Sequence, residues 1–168
     1  MKNLVLGCAF VASAYATTAY AEKVPLSEVV EVVEVAGMTQ KQIFDSSKIW
    51  MAKAFKSSNA VIQYEDVSTG TIIGKGNMDY PCSGFWNCAA HSSSKILFTL
   101  KIDTKDNKAR LTFNDLLLKT APDPKIGLKG YEVKIYVEKD KELIEKGIKD
   151  IVAIYSQDIQ TTASDSDW

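Results

Sequence analysis

An α+β fold is predicted for this chain: an antiparallel sheet of about five to six strands with two helices packed on one of its faces. Two stretches, around 39–56 and 141–155, repeat apolar residues at helical spacing, whereas six others are β-branched or alternate with a period of two. The order strand, helix, four strands with a possible fifth, helix sets the helices apart from an antiparallel sheet. Such a sheet buries one face under helices and leaves the other, more polar face open to solvent or a partner. The 168 residues, 46% hydrophobic and 24% charged, suffice for one domain with an unaided core.

The amino-terminal segment stands apart from that domain. Lys2 gives a short positive region, Leu4 to Val11 is apolar, and Ala19-Tyr20-Ala21 has the small-x-small form of a signal peptidase site. Residues 1–21 are therefore expected to be a signal peptide, with residues 22–156 a single domain and 157–168 a flexible acidic tail. Val5-Leu6-Gly7-Cys8 also resembles a lipid-attachment site. Too few residues precede Cys8 to hold both a charged and an apolar region, so a lipid anchor is not expected. No other run is long and apolar enough to cross a membrane, and a periplasmic location is expected.

Glu28 to Val35 is dense in β-branched valines and is taken as the first strand, after a lead-in containing Pro25. Ala36-Gly37 turns the chain into the best-defined element. Thr39 and Gln42 form a capping box, with Met38 and Ile43 as a hydrophobic staple. Ile43, Phe44, Trp50, Met51, Ala54 and Phe55 then mark the core face of a helix. Lys53 and Lys56 suit its negative end, and Ser57-Ser58-Asn59 is the exit. Ala60 to Asp66 alternates and Thr71-Ile72-Ile73 begins the partner strand, with Gly70 in the turn between them. Gly74 and Gly76 in that partner imply a bulge or a close backbone approach.

Met78 to Lys95 reads as a long loop holding Tyr80, Phe85, Trp86 and His91. Ile96 to Asp103 and Ala109 to Asn114 form a second hairpin about Thr104-Lys105-Asp106-Asn107. Lys119 to Gly130 is a second loop, and Tyr131 to Val137 alternates as a short final strand. Leu143, Ile144, Ile148, Ile151, Val152 and Tyr155 define the last helix, ending at the polar Ser156 to Trp168.

The capped helix with Ile49-Trp50 and Phe55, followed by Ala60-Val61-Ile62-Gln63-Tyr64-Glu65-Asp66 and Gly70-Thr71-Ile72-Ile73-Gly74-Lys75-Gly76, resembles the bacterial family described as a domain of unknown function with TBP-like fold. The strong part of the resemblance covers about residues 39–76. It implies a curved sheet with helices on one side, like half of the TATA-binding saddle, and implies no activity. Nucleic-acid binding does not carry over with a fold.

Composition argues the same way. The formal charge is −1, and it becomes −2 once residues 1–21, with Lys2, are removed; the pI is near 5.9. Nucleic acid is not an expected partner. Cys82 and Cys88 remain after removal of Cys8 and are expected to form a disulfide in an oxidising compartment. Asp79, Cys82, Cys88 and His91 could in principle bind zinc, but their spacing is irregular and a disulfide claims the thiols; no metal or cofactor is expected. His91 next to Ser92, Ser93 and Ser94 lacks the geometry of a nucleophilic triad, and no G-x-S-x-G elbow is present. Gly74-Lys75-Gly76 lacks the spacing of a phosphate loop.

The expected function is a binding or interaction module without catalysis, for a protein, peptide or small apolar ligand. The alternative is a small periplasmic hydrolase or other enzyme with an unrecognised site. Tyr80, Phe85, Trp86 and His91 are the candidate surface. The plainer and favoured reading of that loop has its aromatics covering a core edge and its disulfide restraining a loose insertion.

Overall fold

The computed structural model describes residues 23–55, 62–122 and 127–164, with side chains to residue 161. The expected signal peptide, the Cys8 motif, the Ser57-Ser58-Asn59 exit, Ala60 and Val61 lie outside the described residues. Six strands and three helices follow in order: β1 (Glu28–Glu34), α1 (Gln40–Ala54), β2 (Ile62–Asp66), β3 (Thr71–Asp79), α2 (Phe85–Ala90), β4 (Lys95–Lys105), β5 (Lys108–Lys119), β6 (Glu132–Lys134) and α3 (Glu138–Ser164). All pairings are antiparallel, in the order β1-β5-β4-β3-β2, and β6 pairs with the far end of β5. The sheet is curved and unclosed, and α1 and α3 pack side by side across one face.

The capping box starts α1 as expected. Gln42 Oε1 accepts from the Thr39 N–H at 2.9 Å, and the Gln42 N–H donates to Thr39 Oγ1 at 3.4 Å. The turn between β4 and β5 braces the same end: the Gln40 N–H donates to Asp106 Oδ1 at 2.7 Å and the Gly37 N–H to Asn107 Oδ1 at 2.8 Å. A carboxylate there also suits the positive end of the helix dipole.

Ile43, Phe44, Trp50 and Met51 of α1 are buried, as are Ile96, Phe98, Leu100 and Ile102 of β4 and Ala109, Leu111 and Phe113 of β5. Ile144, Ile148, Tyr155 and Ile159 of α3 close the core. Ala54, expected inside, is exposed. Between the helices, Trp50 meets the Tyr155 ring edge-on at 4.9 Å. The Tyr155 hydroxyl lies 2.7 Å from Ser47 Oγ, which donates to the Ile43 carbonyl at 2.6 Å, so the buried hydroxyls satisfy one another. Burial pushes the Tyr155 hydroxyl up to about 12. The Trp50 indole N–H is buried with no hydrogen-bond partner among the described residues.

Gly76 fulfils the close approach: a Cβ there would stand 2.7 Å from Phe98 Cε2 and 3.1 Å from Phe55 Cε1. The bulges lie elsewhere, in β2 between Ile62 and Tyr64 and in β5 opposite the Leu97–Thr99 step.

Two expectations are corrected. Met78 to Lys95 is not one loop, because β3 continues to Asp79 and α2 occupies the middle of the stretch. Residues 157–164 are not a flexible tail. The α3 helix continues through them because Ile159, four residues beyond Tyr155, adds another fully buried side chain to its stripe. Residues 165–168 lie outside the described part.

Candidate functional site

Residues 80–94 form an excursion with its two feet tied together. Asp79 and Lys95 are register partners joined by an ion pair, and the Tyr80 N–H donates to the Ser94 carbonyl at 3.1 Å. Within it, Cys82 and Cys88 are joined by a disulfide across six residues of sequence. Gly84, at φ 78, starts α2, and the Ser83 N–H donates to Asn87 Oδ1 at 3.0 Å. No Asp, Glu, Lys or Arg occurs between Asp79 and Lys95.

The four candidate residues divide into two pairs. Tyr80 is buried; its ring stacks on His91 with centroids 4.1 Å apart, and its hydroxyl donates to Asp140 Oδ1 of α3 at 2.7 Å. Burial, aided by that acceptor, raises the Tyr80 hydroxyl to about 12. Tyr80 thus fastens the excursion to the body, as does Pro81, which lies against Gly147 of α3, while His91 packs on Tyr80 within the excursion. Phe85 and Trp86 do the opposite. They are 77% and 83% exposed and meet edge-on at 5.3 Å, at the start of α2. The core-edge reading therefore holds for Tyr80 and fails for Phe85 and Trp86.

The helical spacing of four puts Phe85 above Ala89 and Trp86 above Ala90. Ala89 and Ala90 form one wall of a cleft of about 390 Å³, with Pro122, Leu128 and Tyr131 across from them. Leu128 and Tyr131 are 41% and 47% exposed, so apolar surface extends from α2 to the β5–β6 connection.

His91 Nδ1 lies 3.4 Å from Ser94 Oγ, and Ser94 is buried with its N–H donating to the His91 carbonyl at 2.9 Å; this is the closing turn of the excursion. The disulfide removes both thiols from any metal site, and no group of three ligating side chains occurs among the described residues. No helix among the described residues is long and apolar enough to cross a membrane, which says nothing about crossing with strands.

The uncovered face of the sheet carries charges of both signs in register. Asp103 is bound by Arg110 at 2.7 Å and Lys101 at 3.0 Å, and accepts from Thr71 Oγ1 at 3.0 Å. Burial alone would raise its carboxyl, but these three partners outweigh burial and hold it below the usual carboxylate value. Lys119 and Glu132 pair at 3.0 Å further along the face. Asp66, at the end of β2, is likewise lowered, by the Ser68 hydroxyl and N–H donating to it.

Sequence reasoning missed α2 and the bulge in β5. The second left a signal: inward positions in β5 run Ala109, Leu111, Phe113 and then Leu116, a step of three where an unbroken strand takes two.

The architecture defines a class: an α+β half-saddle with a curved open sheet, two helices across its back and a stapled aromatic excursion at one end. Residues 30–119 match the model of the family "Domain of unknown function (DUF4468) with TBP-like fold", and the chain belongs to that family. Two crystal structures are similar. One is a DUF4468 family protein from Bacteroides ovatus, 18% identical with a TM-score of 0.47, the match covering 62% of this chain and 59% of that one. The other is a TBP-like protein from Parabacteroides distasonis, 15% identical with a TM-score of 0.58 over 79% of this chain and 92% of that one. The latter likeness concerns the fold alone. No curated protein matches the chain.

Proposed function

We propose that the protein is an exported, periplasmic binding module without catalytic activity, which holds a protein or peptide partner through the α2 excursion. The observation that carries this reading is the Phe85–Trp86 pair. Two large aromatic side chains stand in water on a segment without formal charge, closed by a disulfide and anchored by Tyr80. Exposed aromatics contribute nothing to the core, whereas aromatic anchors set in a charge-poor centre are typical of partner surfaces. The disulfide and anchor limit the ordering cost of association, because the segment is already held in place.

Export is supported by the signal-like segment at 1–21 and by the disulfide, which persists in an oxidising compartment. The balance of charge on the open sheet face argues against a polyanionic partner, since nucleic acid is held by clusters of uncompensated cations. Residues 22–164 constitute the working domain, with α3 as its last element.

Replacing Trp86 by a photoreactive aromatic residue and irradiating intact cells tests the reading. A single dominant adduct is expected from position 86, and none from the same replacement at Tyr64, which is exposed on β2. The absence of any adduct from positions 85 and 86 would contradict it.

A further inference from the structure

A groove lies on the open sheet face, away from the aromatic excursion. The bulge in β5 creates it. Register pairs Thr99 with Asn114 and Leu97 with Leu117, so two steps on β4 span three on β5. Asp115 is the extra residue. Its φ of 55 lies in the left-handed region, which Asp tolerates better than most residues but which still carries strain, and such strain concentrates at binding sites. The result is that Asn114 and Asp115 both face the open side, Asn114 beside Lys101 and Arg110, while Leu116 returns to the core.

Asp115 stands in a groove of about 580 Å³, within the usual size of small-ligand sites. Lys75 of β3 lies across the groove, and Leu97 and Leu117 supply apolar surface beside it. Lys75 is the register partner of Thr99, and Thr99 of Asn114, so two strand spacings, about 10 Å, separate Lys75 from the bulge. Both charges are open to a ligand. Asp115 Oδ2 accepts from Thr99 Oγ1 at 2.9 Å, and neither Asp115 nor Lys75 forms an ion pair among the described residues. The other two charged groups of the groove, Lys119 and Glu132, already neutralise each other.

An unpaired cation and an unpaired anion facing one another over apolar surface complement a small molecule with the reverse arrangement. We propose that this groove binds a dipeptide of apolar residues, its ammonium on Asp115, its carboxylate on Lys75 and its side chains over Leu97 and Leu117. Each terminus would make a charge-assisted hydrogen bond, the kind whose loss weakens binding by roughly tenfold or more.

Amide NMR titration of the purified protein with L-leucyl-L-leucine tests this directly. Saturable shifts are expected at residues 75–77, 97–99 and 114–117. Binding at least about tenfold weaker is expected for the N-acetylated and the C-amidated dipeptides, and in Lys75→Met and Asp115→Asn. Asn accepts the left-handed backbone as Asp does, and Lys75 is exposed, so both variants keep the fold. The absence of saturable shifts in these amides at millimolar dipeptide, equal binding of the blocked forms, or unchanged affinity in either variant would overturn the proposal. None of these results bears on the Phe85–Trp86 surface, which is tested separately.

Discussion

Trp50 and Trp86 each meet a neighbouring ring edge-on, Tyr155 at 4.9 Å and Phe85 at 5.3 Å, yet one pair is sealed between helices and the other stands in water. Trp50 and Tyr155 are 3% and 0% exposed, against 83% and 77% for Trp86 and Phe85. Ring-on-ring geometry is therefore no guide to what a pair does for the fold. The inner pair excludes water from apolar area on all sides, which is where the hydrophobic contribution arises. The outer pair leaves most of that contribution unrealised.

The largest break in this comparison comes from truncation. Trp50→Ala or Tyr155→Ala is expected to lower stability by about 3–5 kcal/mol, from lost transfer energy and an incompletely filled cavity. Urea denaturation measures it, and a loss as small as a surface change would contradict the packing described. Next comes the staple. Replacing Cys82 and Cys88 by Ser opens a loop whose closure is worth about 2 kcal/mol on chain entropy. Because the segment is peripheral, the unfolding free energy from urea denaturation should fall by no more than this, while amide exchange at 82–90 accelerates much more than in the core strands.

A third effect depends on pH. The native Tyr80 and Tyr155 hydroxyls titrate at about 12 against an ordinary 10, so folding makes their protons harder to remove. The stabilisation is complete below pH 10 and is lost as pH rises from 10 towards 12. Tyr155→Phe should flatten this alkaline decline in melting temperature, and an unchanged slope would show that the hydroxyl titrates as if exposed. Asp103 acts in the opposite sense at the acid end. Its lowered carboxyl adds stability above about pH 4 that disappears as pH falls through its native value, and Asp103→Asn should reduce that acid slope.

Much of the inner region was legible in the residues. The capping box, the alternation of Ile96, Phe98, Leu100 and Ile102, and the stripe from Leu143 to Tyr155 all follow from local rules of period and capping. Gly76 announced its close approach because nothing larger fits between Phe55 and Phe98. The parts that resisted depend on long-range contact. The polar Gln157 to Ser164 looks like a tail until Ile159 is placed against the core, and Phe85-Trp86-Asn87 has no periodicity long enough to declare a helix. Within the candidate segment, sequence could not separate Tyr80, which is buried, from Phe85 and Trp86, which stand in water. That division is set by where Asp140 and Gly147 of α3 come to rest, some 60 residues later.

The smallest expected effect on stability is the most informative for function. Phe85→Ala with Trp86→Ala should change the unfolding free energy by no more than about 0.5 kcal/mol per residue, as for ordinary surface substitutions. The decisive measurement is the native mass of this double variant beside the wild type, each isolated gently from its own cells. Expected are a wild-type assembly heavier than the mature chain, which is the 18.5 kDa sequence less residues 1–21, and a variant that is equally stable but no longer associated. A variant that keeps its partner, or one that loses it only because the domain unfolds, would contradict the claim that this aromatic pair is held out of the core for binding.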